Sequence, residues 1–375
     1  MSYTQLFYLT QWSTSTPPIL DRLLSEHLGD LQSQMEEIIW IAGQNFHPQH
    51  ERLLEIIEAL PAELHQKVLL IPMMYQNIQT FLKFPTVENL TNILTAYEAE
   101  YAIETKKSER DESIWSLMAD RHFSAGKKSK IIESRYLDDC IVLDFDSPEV
   151  QKIELSSGVM NMPYEAFSET EKDKASEKLH FALSLIDKIS LSAGRLVRNY
   201  TRIIRMRKTE SGLTSSEQVP REIGTIRLLN VQDSRFSIID LMDNLIHEAT
   251  HNFLSSYEHR YGSFIAYTPT TQVRPISPWS GNPIPYSAFT HAVFIYFSLF
   301  NFMQLAYRKT DSDLASIDKK EIRKKIELCS KGFRSHTPIQ KYLSVVGKSD
   351  EKLLNLYQMC QQKVCSYYPV MEKAS

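Results

Sequence analysis

Cysteine is scarce in this 375-residue chain, which carries four: Cys140, Cys329, Cys360 and Cys365. They form neither a dense disulfide framework nor a paired Cys-x-x-Cys zinc pattern, which points to a reducing, cytoplasmic location. A charge excess is lacking too: 42 Lys and Arg stand against 46 Asp and Glu, a formal net charge of -4 that gives no reason to expect a nucleic-acid partner. The opening MSYTQLFYLTQW has no basic n-region and no small-residue cleavage site, so no signal peptide is expected. There is no glycine-rich phosphate loop and no internal repeat. No Asp or Glu occurs from His259 through Thr310.

What is present reads as an ordinary globular chain, 42% hydrophobic and 23% charged, enough for one large or two average domains. From Ile19 to about Ala102 apolar residues recur three or four apart, predicting helices over 20–31, 52–60, 64–70 and 87–101, with prolines between them. His47 and His50 are expected to be an exposed loop pair. After a polar stretch from Glu104 to Lys130, RYLDDCIVLDF (135–145) and VQKIEL (150–155) carry strand signals. Asp144 and Asp146 at the exit of the first are expected to be solvated acids. A long helical pattern follows from about Ser168, with Glu171 completing a capping box, to Met206. Its second half carries Arg195, Arg198, Arg202 and Arg205 at spacings that put them on one helix face. The expected division is a helical N-terminal region, 1–130, with a role in peptide recognition, and a metal-binding catalytic region, 131–375.

The chemistry centres on His247-Glu248-Ala249-Thr250-His251, in SIIDLMDNLIHEATHNFL (237–254). On a helix the two imidazoles project one turn apart from one face, close enough to share a divalent ion, and Glu248 sits where a carboxylate can orient or deprotonate a metal-bound water. The preceding GTIRLLNV (224–231) reads as a buried strand, with Ser237 and Asp240 as a capping pair for the helix. Asp240, Asn244, His247 and His251 line a polar stripe on an otherwise core-facing helix. The alternative for such histidines is a core position bonded to backbone groups.

A third ligand is harder to place. The metzincin continuation requires Gly and His where Leu254 and Tyr257 stand. Glu258 shares a face with His251, but seven residues rise about 10 Å, too far for one ion on an unbroken helix. The acid-free stretch excludes a nearby downstream glutamate. His291 remains, at the start of an apolar helix capped by Ser287 and preceded by a loop stiffened by Pro275, Pro278, Pro283 and Pro285. From Ala288 to Tyr307 no residue is charged, but His291, Asn301 and Gln304 favour a buried helix over a membrane span. The last segment predicts helices over 312–333, 337–346 and 349–367, with Lys319, Lys320, Arg323, Lys324 and Lys325 on a solvated face. The expected fold is α+β and mainly α: a helical N-terminal region, a small central sheet, and an HExxH metal helix packed on an apolar helix.

The strand, the HEATH helix, the Pro278-Trp279 loop and the helix-borne His291 together resemble the α-ketoglutarate-dependent HExxH-type peptide β-hydroxylases, associated with ribosomally made peptide natural products. The resemblance covers about 224–307. It implies iron(II) at His247, His251 and His291, α-ketoglutarate as co-substrate, a peptide as substrate, and Glu248 as a base or orienter beside the metal. The family's arginines after the Pro-Trp pair are replaced here by Ser280 and Ile284. The cation for the far carboxylate of the co-substrate is then expected from Arg274, upstream on the same loop, or else from Arg260 or the row Arg195, Arg198, Arg202 and Arg205. Two other functions use the same chain: a zinc metallopeptidase with the same three histidines, and a metal-free peptide-binding protein.

Overall fold

The helical periodicities become fourteen helices among the residues described by the structure, a computed structural model covering 3–12, 18–106, 113–124, 130–155, 157–265, 274–309, 317–335, 339–344 and 350–368. In chain order the first elements are α1 (Tyr3–Leu9), α2 (Ile19–Asn45), α3 (His47–Ala59), α4 (Ala62–Leu69), α5 (Met74–Lys83) and α6 (Val87–Thr105). They are followed by β1 (Ile114–Trp115), β2 (Arg121–Ser124), β3 (Lys130–Glu133), β4 (Arg135–Leu137), β5 (Ile141–Asp144), α7 (Pro148–Gln151), α8 (Glu169–Ile189) and α9 (Leu191–Tyr200). Then come β6 (Ile203–Arg207), β7 (Ser215–Glu217), β8 (Thr225–Leu229), α10 (Ile238–Tyr261), α11 (Tyr286–Lys309), α12 (Lys319–Lys331), α13 (Ile339–Ser344) and α14 (Glu351–Tyr367). With a three-stranded sheet, β1-β2-β3, and a five-stranded sheet, β4-β5-β6-β8-β7, the fold is α+β and mainly helical, as expected.

The chain forms two compact units, neither of them continuous: 1–18, 182–197 and 238–375 in one, 19–181 and 198–237 in the other. In the second unit, α2 to α6 close over one apolar cluster, with Ile38, Leu53, Ile56, Phe81 and Ile93 all fully buried, and Val142 and Ile203 of the five-stranded sheet join it. Both sequence breaks in that sheet have local causes. The stretch 135–145 is two strands, because Asp138 and Asp139 take left-handed φ values of 54° and 55° and the Cys140 N–H returns to the Leu137 carbonyl. Two consecutive left-handed residues make the tight hairpin turn that suits the twist of paired strands. The helical pattern expected to reach Met206, with Gly194 as its point of interruption, instead breaks at Ser190 between α8 and α9 and ends at Tyr200, where the Arg202 N–H donates to the Gly224 carbonyl and the chain enters β6, parallel to β5 and β8. The expected arginine row is thereby broken: Arg198 stays on a helix and Arg205 lies on a strand.

That strand carries the least expected feature. Arg205 and Arg207 on β6 and Arg227 on β8 are all buried, Arg205 directly opposite Arg227. Arg227 is enclosed by Glu222 at 2.6 Å, Glu154 at 3.1 Å and Glu217 at 3.2 Å. Arg205 takes Glu222 at 2.9 Å and has Asp144 at 3.9 Å. Asp144, expected to be solvated, is 1% exposed and accepts hydrogen bonds from the backbone and side chain of Ser147. Arg207 instead donates to the carbonyls of Lys152 and Met162. This use of the backbone, together with a Ser147 cap and Pro148 in the first turn of α7, accounts for the absence of the strand expected over 150–155.

The capping box at α8 forms as expected: Ser168 N–H donates to Glu171 and the Glu171 N–H donates to Ser168 Oγ. Lys208, 2.8 Å away, and the Ser168 donors hold the Glu171 carboxyl down at about 2, against 4.5 for a free glutamate. A depressed acid stabilises the fold fully above its unfolded pKa and loses that contribution as pH falls through the folded one. Lys208→Met is therefore expected to unfold more easily than the wild type above pH 4.5, with the difference in Tm narrowing as pH approaches 2.

Candidate metal centre

The candidate centre lies wholly within the first unit, on α10 and α11, which pack against each other. In α10 apolar residues alternate with polar ones at helical spacing, so that Leu241, Leu245, Ala249 and Phe253 are buried while His247 and His251 remain partly open. The polar stripe finds its partner on α12: Lys325 lies 2.7 Å from both Asp240 and Asp243. Lys325 therefore leaves the solvated basic face expected for it and ties α12 to the metal helix.

His247 and His251 stand one turn apart with ring centroids 5.2 Å apart. Ligand atoms of His247, Glu248 and His251 all fall within 4.8 Å of one another, and Glu248 is 4% exposed. His291, in the second turn of α11, is 8% exposed and lies outside that group, but its Nδ1 is 3.3 Å from His251 Nδ1. Two nitrogens bound to one ion at about 2.1 Å, at angles from right to tetrahedral, are about 3.0–3.4 Å apart. The spacing therefore fits either a hydrogen bond between the rings or two ligands of one metal. Burial first, then the neighbouring His247 and His291, hold His251 well below the usual histidine pKa. At neutral pH it is an uncharged imidazole with a lone pair to offer, the state a metal ligand requires. The donor set accordingly fits a divalent ion that accepts imidazole nitrogen, iron(II) and zinc among them.

Glu258 does what the helical rise allows it to do. It lies one helical face along from His251, and Oε2 sits 2.9 Å from His291 Nε2 while Oε1 accepts the Phe264 N–H at 2.9 Å. A carboxylate on Nε2 fixes the tautomer, leaving the Nδ1 lone pair of a neutral His291 facing His251. Glu258→Gln keeps an acceptor but loses the charge, and is expected to lower metal affinity about 10–100-fold. Titration against a chromophoric chelator measures it.

Further contacts were not foreseen. Trp279 of the Pro278-Trp279 loop is 2% exposed, stacks on Tyr296 with centroids 4.6 Å apart, and donates from Nε1 to the Cys329 carbonyl at 2.9 Å. Tyr296 meets His247 edge-on at 6.0 Å. Burial pushes the Tyr296 phenol up to about 12, so it stays protonated beside the centre. Gly332 makes this arrangement possible, because a Cβ there would sit 2.2 Å from Trp279. The i+7 position of Glu258 on the histidine face was the available signal for that residue; the Trp279–Gly332 approach, 53 residues apart in sequence, left none. Ser287, expected as the cap of α11, lies within its first turn instead, where the Phe289 N–H returns to Pro285. Arg274 is exposed, at the point where the described chain resumes after residue 265, and no hydrogen bond or ion pair among the described residues engages it. His47 and His50 lie in the first turn of α3, away from any group of candidate ligands among the described residues.

α11 is long and apolar enough to cross a membrane by composition, with a mean hydropathy of 1.3 over its most apolar window, but 78% of that window is buried within the protein. Asn301 on this helix donates to the carbonyls of Thr10 and Phe297. Comparison with protein-family models and with curated proteins returns no match.

Proposed function

We propose that the chain is a cytoplasmic iron(II)- and α-ketoglutarate-dependent oxygenase that hydroxylates an unactivated carbon of a peptide side chain, within a natural-product precursor. The observation that carries this reading is the approach of a third imidazole, His291, to the HExxH pair, with Glu258 behind it. Bound iron and co-substrate would supply the oxidising chemistry. In this reading His247, His251 and His291 would hold the ion. Glu248, buried beside them, orients a ligand through its carboxylate. Arg274 takes the far carboxylate of α-ketoglutarate, for which its guanidinium fork is suited. The region 1–130 recognises the precursor peptide.

The test is succinate release from α-ketoglutarate by protein purified without oxygen and then given iron(II) and oxygen. Turnover lost in His291→Ala and weakened through KM for α-ketoglutarate in Arg274→Ala supports the reading. A second reading is favoured by the inclusion of Glu248 within 4.8 Å of both histidine ligand atoms, the arrangement of a base for a metal-bound water. Tightly held zinc, no succinate and cleavage of a peptide library would establish a metallopeptidase. Undiminished peptide binding by a His247→Ala, His251→Ala double variant, with no metal in any preparation, would leave a binding protein.

A further inference from the structure

Away from the metal centre, the second unit contains a 320 Å³ cavity whose wall includes Arg202. Arg202 is partly buried, and its side chain makes one hydrogen bond among the described residues, a long one of 3.4 Å from Nη1 to the Arg198 carbonyl; no described carboxylate pairs with it. Burial draws its pKa down, and the only groups acting in the opposite direction are the Cys140 thiol and the Tyr200 phenol. Among the described residues the charge has no carboxylate counter-ion. The contrast with Arg205 and Arg227, each enclosed by carboxylates, is sharp. A half-buried cation without a partner is less well solvated than in water, a deficit that an anion entering the cavity would offset.

The other walls say which anion. Of the acids lining it, Asp120 is occupied by Lys67 at 2.7 Å, Ser116 Oγ at 2.6 Å and the Tyr136 hydroxyl at 3.3 Å. Glu63 is exposed at the rim. Leu70, Met118 and Val142 supply an apolar surface, the last two buried. No glycine-rich loop contributes backbone donors to this wall, the arrangement that phosphate favours. A planar guanidinium beside hydrocarbon matches a carboxylate attached to an apolar body, and the volume is that of a small-ligand site.

We propose that this cavity binds a small carboxylate with an apolar tail, the carboxylate on Arg202 and the tail against Leu70, Met118 and Val142. The ligand is either a free organic acid or the C-terminal carboxylate of a peptide, and the two are told apart below. The inference does not depend on the metal reading.

Cys140 provides a readout in the unaltered protein, because it is an exposed thiol on the same cavity wall. Full-length protein is alkylated with iodoacetamide, and Cys140 and Cys365 are followed separately by peptide mass spectrometry. At about ten times its Kd, 4-methylpentanoate is expected to slow alkylation of Cys140 about tenfold and to leave Cys365 unchanged. Its neutral amide is expected to do neither. Ala-Ala-Leu with a free C-terminus, but not with an amidated one, protects Cys140 if the source is a peptide end; protection by the small acid alone identifies a free acid. In Arg202→Met, which removes the unpaired charge, Tm is expected to be equal or higher and protection to vanish. Equal protection by acid and amide overturns the proposal, as does protection that survives in Arg202→Met, or none by any carboxylate. Should Arg202→Met not fold, the acid-against-amide comparison in the wild type decides alone.

Discussion

His251→Ala, purified without oxygen and offered iron(II), is expected to retain less than about a tenth of the metal held by the wild type. His251 is the hinge of the candidate centre: it neighbours His247 one turn back and His291 across the helix pair. Removing it leaves two imidazoles that belong to different helices. His291→Ala is expected to be milder, because the one-turn pair His247 and His251 with Glu248 survives. The imidazole of His251 is neutral near pH 7 and leaves no charged partner among the described residues unpaired, so the alanine variant should keep its Tm within a few degrees when metal is absent from both proteins. Elemental analysis alongside a thermal melt separates the two effects. Equal metal content in the variant and the wild type would remove the metal centre from these residues, and with it both enzyme readings.

The largest loss of stability is expected from Arg227→Met. Its guanidinium is fully buried and is shared by Glu154, Glu217 and Glu222, of which Glu222 is itself almost fully buried. Methionine fills much of the volume, so packing is roughly kept while three carboxylates lose their common cation. Breaking a buried pair from one side costs about 3–5 kcal/mol, because the remaining charges stay desolvated. In a chain of 375 residues that is a fall in Tm of roughly 4–6 °C. The sign of the pH dependence is a further check. Against burial, Arg227 holds Glu154 below the usual glutamate pKa; without it the carboxylates take up protons more readily, so the gap to the wild type should close as pH falls into the carboxylate range. A variant that melts within about 1 °C of the wild type at neutral pH would show that the cluster is not stabilising.

These two sites differ in how far they could be read from sequence. His247 and His251 are local: a five-residue spacing on a periodic helix places both imidazoles without any knowledge of the fold. His291 was located as the remaining candidate in an acid-free stretch, and the structure brings it to His251. Arg227 was invisible, because a strand of the type TIRLL reads as apolar with one intruder, and its three acids lie 73, 10 and 5 residues away. The arginine row failed for a related reason. Spacings of three and four are only meaningful while the helix lasts, and the chain leaves helix at Thr201, where Arg202 turns its N–H to the sheet. Among helices, those with clear apolar spacing were found but cut short: α2 runs to Asn45 and α3 begins at His47, since propensity weakens at ends that tertiary packing then extends. α5, Met74–Lys83, was missed between two prolines. Of the C-terminal helices, the parts expected over 312–316, 337–338 and 345–349 lie outside the described residues.

Trp12 gives the protein a timetable. Its indole is 1% exposed and donates to the Ser298 carbonyl, 286 residues later, while Phe7 stacks on Phe297 of the same apolar helix. At a synthesis rate of about 5–20 residues per second, the first helix emerges roughly 15–60 s before the partner that will cover it. Throughout that interval the other unit, 19–181 with 198–237, is completed between the two halves of this contact. The histidines of α10 are likewise on the growing chain before α11 exists to bring the third ring to them. On the proposed reading metal capture would thereby be a late event, and a nascent chain halted near residue 260 would present the HExxH helix without His291 while Trp12 still waits for the helix that covers it.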